Sequence, residues 1–428
     1  MITTSGKQYR DWTADYRLYS KSRVDPDKCF QAIREIVEDK LPAEAPLVVA
    51  IDDTIAPKTG RRIDGVSYRK DPLGPKFQTN LVLAQRFVQL SAAIPAQDGS
   101  ARLVPIDFKH APSPRKPGAK ADASQIDEYK ERRKQLNLNA LANRRIASLR
   151  EGTDPRRKLV LAADGSYTNG SVIRSLPENA TLIGRIRKDA VLCSRPGEAK
   201  PKGRRRLYGE DMPTPEQIRQ DDDVPWRQVE AFAAGKRQSF RVKVVKNLLW
   251  RKCGAGRPLQ LVIIAPLGYR LRKGSRILYR KPAYLICTDS GMDICELLQS
   301  YLWRWQIEVN FRDEKSLLGL GQAQVRTKAS NDNLPAIRAA SYSMLWLAAL
   351  ESNPKQDPAA LLEPPKWRRD LKGRTAPTTS QLLQALRHEM WARSLRPSSF
   401  THFASRKARG AKREKSLPHL ASSLFQAA

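Results

Sequence analysis

A phenol, two cations and one carboxylate are strung along a single stretch, Tyr301-Leu-Trp-Arg304-Trp-Gln-Ile-Glu308-Val-Asn-Phe-Arg-Asp-Glu-Lys315. Arg304, Glu308 and Lys315 follow Tyr301 by 3, 7 and 14 positions. On a helix of about 3.6 residues per turn these offsets fall within an arc of roughly 60°. One acid in line with a phenol and two cations suits a metal ion held against a nucleic-acid backbone. The plainer alternative is a solvated helix stripe laced with charge pairs. The rest of the chain decides between them.

Two further acids end apolar runs. Pro46-Leu-Val-Val-Ala-Ile51 leads into Asp52-Asp53-Thr54, and Lys158-Leu-Val-Leu-Ala-Ala163 leads into Asp164-Gly165-Ser166. Short aliphatic runs bounded by turn residues read as buried strands, and an Asp at the end of one sits at the rim of a sheet, where open α/β folds bind ligands. Each Asp alone also reads as a turn or cap residue. Hard divalent cations such as Mg²⁺ take one or two carboxylates and keep positions for water and phosphate. Two ions about 4 Å apart serve both the attacking and the leaving oxygen.

Composition agrees with a polyanionic partner. The 428 residues include 77 Lys+Arg against 44 Asp+Glu, a net charge of +33 with a pI near 10.2. That excess is too large for an ordinary metabolic enzyme and points to nucleic acid first. Hydrophobic residues make up 40%, enough for a sizeable core. The five cysteines form no C-x-x-C pair, and three of the four histidines (His388, His402, His419) lie near the C-terminus while His110 stands alone in sequence. A zinc module or a histidine-based site is therefore not expected, and a catalytic metal should be held by carboxylates. No phosphate-loop motif appears. Met1–Arg10 has no apolar signal-peptide core, and Ala339–Leu350 is too short to span a bilayer, so the expected location is cytoplasmic, nucleoid-associated when on DNA, with no membrane partner.

Acids in the order strand, strand, helix, with Tyr-x2-Arg-x3-Glu-x6-Lys around the last, resemble a DDE transposase of a bacterial insertion sequence, from the group with the Tyr-Arg-Glu-Lys signature. Asp52-Asp53-Thr54 resembles its first-acid motif and Asp164-Gly-Ser-Tyr167 its second, while Leu318-Gly-Leu-Gly321 with Gln324-Val-Arg326 resembles the segment just past its Glu helix. The resemblance spans residues about 46 to 326. It implies an α/β fold, an RNase H-like mixed sheet flanked by helices, with a mostly β insertion before the helix carrying the catalytic Glu. It implies Asp52, Asp164 and Glu308 as catalytic acids and ligands of two Mg²⁺ ions (Mn²⁺ as substitute). Tyr301, Arg304 and Lys315 would contact DNA. The motif places one residue between the acid and Thr54, which favours Asp52 over Asp53. Since neighbours on a strand face opposite ways, only one of the two can readily serve.

A definite set of elements is needed to bring these residues together. Strands are expected at Leu47–Asp52, within Asn80–Ile94 and Arg102–Phe108, at Leu159–Asp164 and at Ala180–Ile186, with a helix over Ser124–Leu149 capped by Asp122 or Ser124. From Asp164 to Glu308 is 144 positions, room for the insertion, where Phe240–Trp250, Pro258–Pro266 and Arg276–Asp289 carry β-type runs. Asp289 or Ser290 would cap the Glu308 helix. Residues 1–42 read as a small helical region, with amphipathic spacing over Cys29–Leu41. Residues 43–190 and 283–352 read as the core, 191–282 as the insertion and 353–428 as a helical region with a basic tail. Pro335–Leu350 and Thr378–Ala392 read as helices, separated by Pro354–Pro365.

Basic segments at Arg115–Lys120, Lys200–Arg206, Arg270–Lys281, Lys366–Arg374 and Arg406–Lys415 would supply salt-dependent backbone binding. Trp226, Trp250, Trp303, Trp305 and Trp367 lie near cations and could stack on bases, core packing being the plainer reading for each. The expected activity is cut-and-paste transposition: metal-dependent cleavage at the element ends, then strand transfer into target DNA, by a homodimer on paired ends. The alternatives are an inactive DNA-binding descendant and an RNase H-like nuclease without strand transfer.

Overall fold

The structure is a computed structural model that describes residues 11, 13–71, 74, 75, 77–114, 116–197, 206–352 and 378–394. The Pro-rich stretch after residue 353, the C-terminal tail, Trp367 and the basic segments at 366–374 and 406–415 lie outside them, as does most of 200–206. Helices α1 (Thr13–Ser20) and α2 (Pro26–Asp39) come first. Asp25 caps α2 by accepting from Asp27 N, Pro26 fits its first turn, and Phe30, Ile33 and Val37 form its buried stripe. Strands β1 (Leu47–Pro57), β2 (Ser67–Lys70), β3 (Leu81–Pro95) and β4 (Ala101–His110) come next. The expected single helix over Ser124–Leu149 is two, α3 (Ala123–Gln135) and α4 (Leu138–Glu151). Asp122 and Gln125 form a capping box on α3. The Asn137 side chain accepts from Asn139 N and restarts the chain as α4, the competition with helical bonding that short amide side chains offer.

Then come β5 (Leu159–Ala163), α5 (Gly170–Arg174), β6 (Ala180–Arg185), α6 (Pro215–Gln220), β7 (Arg227–Ala233), β8 (Lys236–Trp250), β9 (Gly254–Ile264), the short pair β10 (Gly268–Tyr269) and β11 (Leu278–Tyr279), and β12 (Ala283–Cys287). Helices α7 (Ile294–Trp303), α8 (Gln306–Ser316), α9 (Lys328–Ser352, with Pro335 inside) and α10 (Thr379–Ser394) complete the described chain. The expected run Arg276–Asp289 is thus split between a surface hairpin and a sheet strand.

One mixed sheet of ten strands organises the chain, in the order β2-β3-β1-β5-β6-β12-β9-β8-β7, with β4 also on the outer edge of β3. β1, β5 and β6 are mutually parallel, while β3 and β4 run as an antiparallel meander. This is the mixed sheet with flanking helices expected of an RNase H-like fold. Residues 191–282 leave this sheet after β6 and rejoin it, because β12 pairs with both β6 and β9.

Both faces of the central strands are covered, which explains why their sequences are continuously apolar rather than alternating. Val49 and Ile51 of β1, with Leu159 and Leu161 of β5, belong to a core that includes α2, α4 and α9 residues. Val48, Ala50 and Val160 belong to another, against Leu297 and Leu298 of α7 and Ile307 and Phe311 of α8.

Candidate active site

The sheet sets two of the acids side by side. The parallel ladder between β1 and β5 ends at the rung Ile51–Ala163, and Asp52 and Asp164 are the next residue on each strand. Neighbouring strands lie about 4.8 Å apart, and residues in register on parallel strands share a face. The β5–β6 ladder ends similarly at Ala163–Gly184, which puts Arg185 beyond Asp164 in the same row. Asp52 is not at the end of its strand, contrary to expectation. β1 continues to Pro57 because β3 goes on pairing with it past Asp52, which stands opposite Gln89. Only the β5 side is open there.

Alternation divides Asp52 from Asp53. Asp52 has the parity of Val48 and Ala50 and so faces α7 and α8. Its Oδ2 accepts from Arg304 Nη1 at 3.1 Å. Asp53 faces away and is held by Arg86 Nε (2.8 Å) and by the Tyr167 hydroxyl, which donates to it at 3.1 Å. Asp164 is fixed by its own turn: Ser166 N donates to its Oδ1 at 2.8 Å and Ser166 Oγ to its Oδ2 at 3.2 Å.

The Tyr301–Lys315 stretch is not one continuous helix. Asp293 caps α7, which stops at Trp303, and α8, which carries Glu308, starts from Trp305 with no side-chain cap, so neither Asp289 nor Ser290 caps the Glu308 helix. Across Arg304 and Trp305 the bonds shorten to i→i+3, with Arg304 N donating to Tyr301 O and Glu308 N to Trp305 O, before α8 resumes. A tighter turn rotates each residue further than an α-helix does, so the single-face arc does not hold across the joint. Packing accounts for the break: Ile307 and Phe311 stay in the core with Leu297 and Leu298, while Arg304 turns in beside Asp52.

The turn brings Arg304 between two acids. It lies 3.1 Å from Asp52 and 3.9 Å from Glu308 Oε1, with its side chain only 9% exposed. Tyr301 packs beside it, with the guanidinium 5.7 Å from the ring centroid. Lys315 lies about two turns beyond Glu308 along α8; burial holds its ammonium below the ordinary lysine range, opposed by Glu314. Tyr301, Arg304, Glu308, Asp52 and Asp164 are thus gathered, and Lys315 stands further along.

Electrostatics report the crowding. Burial first, then the charge of Asp164, push Asp52 up to about 7, with Arg304 opposing. Burial and Asp164 also raise Glu308, against Arg304. Burial raises Asp53, with Arg86 and Tyr167 opposing. Carboxylates that repel one another are stabilised by a cation, and an all-oxygen donor set suits a hard divalent one. Asp52, Asp164 and Glu308 are of that donor type, but their oxygens do not all lie within 4.8 Å of one another, and Arg304 stands between Asp52 and Glu308.

Three neighbours escaped the sequence reading. Arg86 and the fully buried Tyr167 hold Asp53, and Arg185 extends the Asp52–Asp164 row. Tyr167 carried a signal, three residues past Asp164, whereas Arg86 and Arg185 had none. Beneath the site, Glu314 is completely buried. With its amide turned so that its oxygen accepts from Ser91 Oγ (3.0 Å), Gln89 donates to both Glu314 oxygens at 3.1 and 3.2 Å. Burial pushes Glu314 up to about 8.

The tryptophans divide. Trp226 lies under Arg241 and Lys243, Trp303 Nε1 donates to Gly99 O at 3.0 Å, and Trp250 is buried. Trp305, at the helix joint, is 60% exposed. The β10–β11 hairpin displays Arg270, Arg272, Lys273, Arg276, Arg280 and Lys281 with no acid between Pro266 and Pro282, and Leu271 and Tyr279 are exposed beside them. No helix among the described residues is long and apolar enough to cross a membrane.

Residues 10–257 match the sequence model of a family described as DDE superfamily endonuclease. The match covers more than half of the chain, and the chain belongs to that superfamily. No curated protein matches it. Membership makes this a nuclease- or transposase-like enzyme that acts on DNA, in a family that normally uses a divalent metal. Asp52 and Asp164 fall within the matched span, and Glu308 lies downstream of it.

Proposed function

We propose that this chain is a DDE transposase of the Tyr-Arg-Glu-Lys group that cuts and joins DNA at the ends of its own mobile element. The observation that carries the reading is the adjacency of Asp52 and Asp164 one rung past the β1–β5 ladder, with Glu308 linked to Asp52 through Arg304. Asp52, Asp164 and Glu308 would hold two Mg²⁺ ions, or Mn²⁺. Bound metal supplies activation of the attacking oxygen and stabilisation of the leaving one. The residues of the chain do the rest. Asp52 and Glu308 must be ionised to serve as ligands, and Arg304, Tyr301 and Arg185 face the same region, where a phosphate of the cleaved strand would meet them. Lys315, further along α8, would hold a more distant phosphate. In the first step water attacks the phosphorus at the element end and the 3′ oxygen leaves. In the second, that 3′ hydroxyl attacks a target phosphodiester and displaces a target 3′ oxygen.

In this reading residues 43–190 and 283–352 are the catalytic core, 191–282 an insertion that presents the basic hairpin to DNA, and 1–42 and 353–428 flanking regions. The working form is a homodimer on paired ends, in the cytoplasm. The test is a strand-transfer assay with labelled DNA carrying the sequence that flanks the gene and a supercoiled target. Joined products that need Mg²⁺ and vanish in Asp164→Asn support the transposase. Cleavage without joining identifies a nuclease, and DNA retention with neither reaction identifies an inactive descendant.

A further inference from the structure

His110, alone in sequence, is not alone in the fold. It ends β4, and its Nδ1 lies 2.7 Å from Oδ1 of Asp332 in the first turns of α9. Asp64, from the loop between β1 and β2, completes a trio. One ligand atom from each of Asp64, His110 and Asp332 lies within 4.8 Å of the other two. No other such group of three occurs among the described residues.

We propose that these three residues form a second divalent-cation site, of Zn²⁺ type, that clasps the Asp64 loop to β4 and α9. The His110 side chain is only 5% exposed, yet its Nε2 has no hydrogen-bond partner. A ring nitrogen and one oxygen of each carboxylate are close enough to share one ion, with Nδ1 and Asp332 Oδ1 only 2.7 Å apart. Asp64 is carried against this ring by Gly65. Its φ of +72° and a Cβ that would fall 2.3 Å from His110 Cε1 and 2.6 Å from Nε2 leave no room for a side chain there. Gln85 Nε2 anchors the same loop by donating to Asp64 O at 3.0 Å. Among the described residues no lysine or arginine forms an ion pair with Asp64 or Asp332, although Arg61, Arg62, Arg69 and Lys328 line the same cavity of about 1430 Å³. Both carboxylates are therefore available to a cation. One imidazole with two carboxylates suits Zn²⁺, with Mn²⁺ next, better than Mg²⁺.

The site is separate from the acids on β1 and β5. Thr54 pairs with Phe87 and Phe87 with His110, so His110 lies two strands over from Thr54, on the order of 10 Å across the sheet. Its existence does not depend on the reaction proposed above.

The test uses the full chain with the other acids neutralised (Asp52→Asn, Asp164→Asn, Glu308→Gln), dialysed against Zn²⁺ and, for spectra, Co²⁺. We expect one metal equivalent that survives this triple change, a Co²⁺ ligand-field band, and a rise in Tm on Zn²⁺ addition. Adding Asp64→Asn, at an exposed position that does not threaten folding, should weaken binding at least tenfold and abolish the Tm rise. His110→Gln should remove the band. Two outcomes overturn the proposal: no bound metal in the triple variant, or binding and Tm rise unaltered by Asp64→Asn, which would assign the metal to the other histidines and cysteines.

Discussion

Arg304 donates to Asp52 at 3.1 Å across 252 positions of sequence, so the cation expected to face DNA is committed to an acid. Asp52 stands near 7, well above an ordinary carboxyl, and a group raised in this way favours folding below its unfolded value and loses that contribution as pH rises through 7. Arg304 limits the loss. Arg304→Ala should therefore lower stability at pH 8 by ~1–3 kcal/mol, with less effect at pH 5. Added Mn²⁺ should narrow the gap by replacing the missing charge. Thermal unfolding at both pH values checks this, and equal Tm losses at pH 5 and 8 would count against the Asp52 contact.

Asp52→Asn should abolish metal-dependent DNA cleavage while leaving DNA binding largely intact. Asp53→Asn should be milder, a fall of about 10–100-fold, because Asp53 faces Arg86 and Tyr167 and would support the site from behind. Cleavage assays on both variants decide the order. An inactive Asp53→Asn beside an active Asp52→Asn would reverse the assignment.

Glu314 supplies a stability test away from DNA. Raised to about 8 against an unfolded value near 4.5, it holds a proton in the native state over the interval between them. Stability should decline as pH climbs through that window and level off above it. Glu314→Gln keeps the shape and the partner Gln89 without the charge. It should raise stability at pH 9 by on the order of 1–3 kcal/mol and flatten the profile. Denaturant titrations at pH 5, 7 and 9 read it out, and an unchanged slope would mean that Glu314 ionises freely.

The hairpin of β10 and β11 should bind backbone phosphates. Replacing Arg272, Lys273, Arg276 and Lys281 with Ser should weaken DNA binding across sequences. The slope of log affinity against log salt should become shallower by about 0.9 for each phosphate that the variant no longer neutralises. Unaltered slopes would return this hairpin to plain solvent.

The apolar runs that end at Ile51 and Ala163 announced buried strands, and the acids after them announced a site, because continuous burial and a strand end leave local marks. The Tyr301, Arg304, Glu308 and Lys315 spacing announced a functional stretch for the same reason. It did not announce the joint at Arg304–Trp305. Whether a turn closes i→i+3 or i→i+4 is settled by what its side chains pack against, here the core around Ile307 and Phe311, with Arg304 turned onto Asp52 of the strand they cover. The split of Asp52 from Asp53 stems from strand alternation. Which face met α7 and α8, however, depended on β1 being sandwiched between β3 and β5. His110 looked isolated because its partner Asp332 is 222 positions away. Local periodicity and composition determined which elements form and which residue types are present. Rungs, facing pairs and the joining of residues 191–282 to the central sheet were decided only when distant strands met, since such contacts leave no periodic trace in either partner.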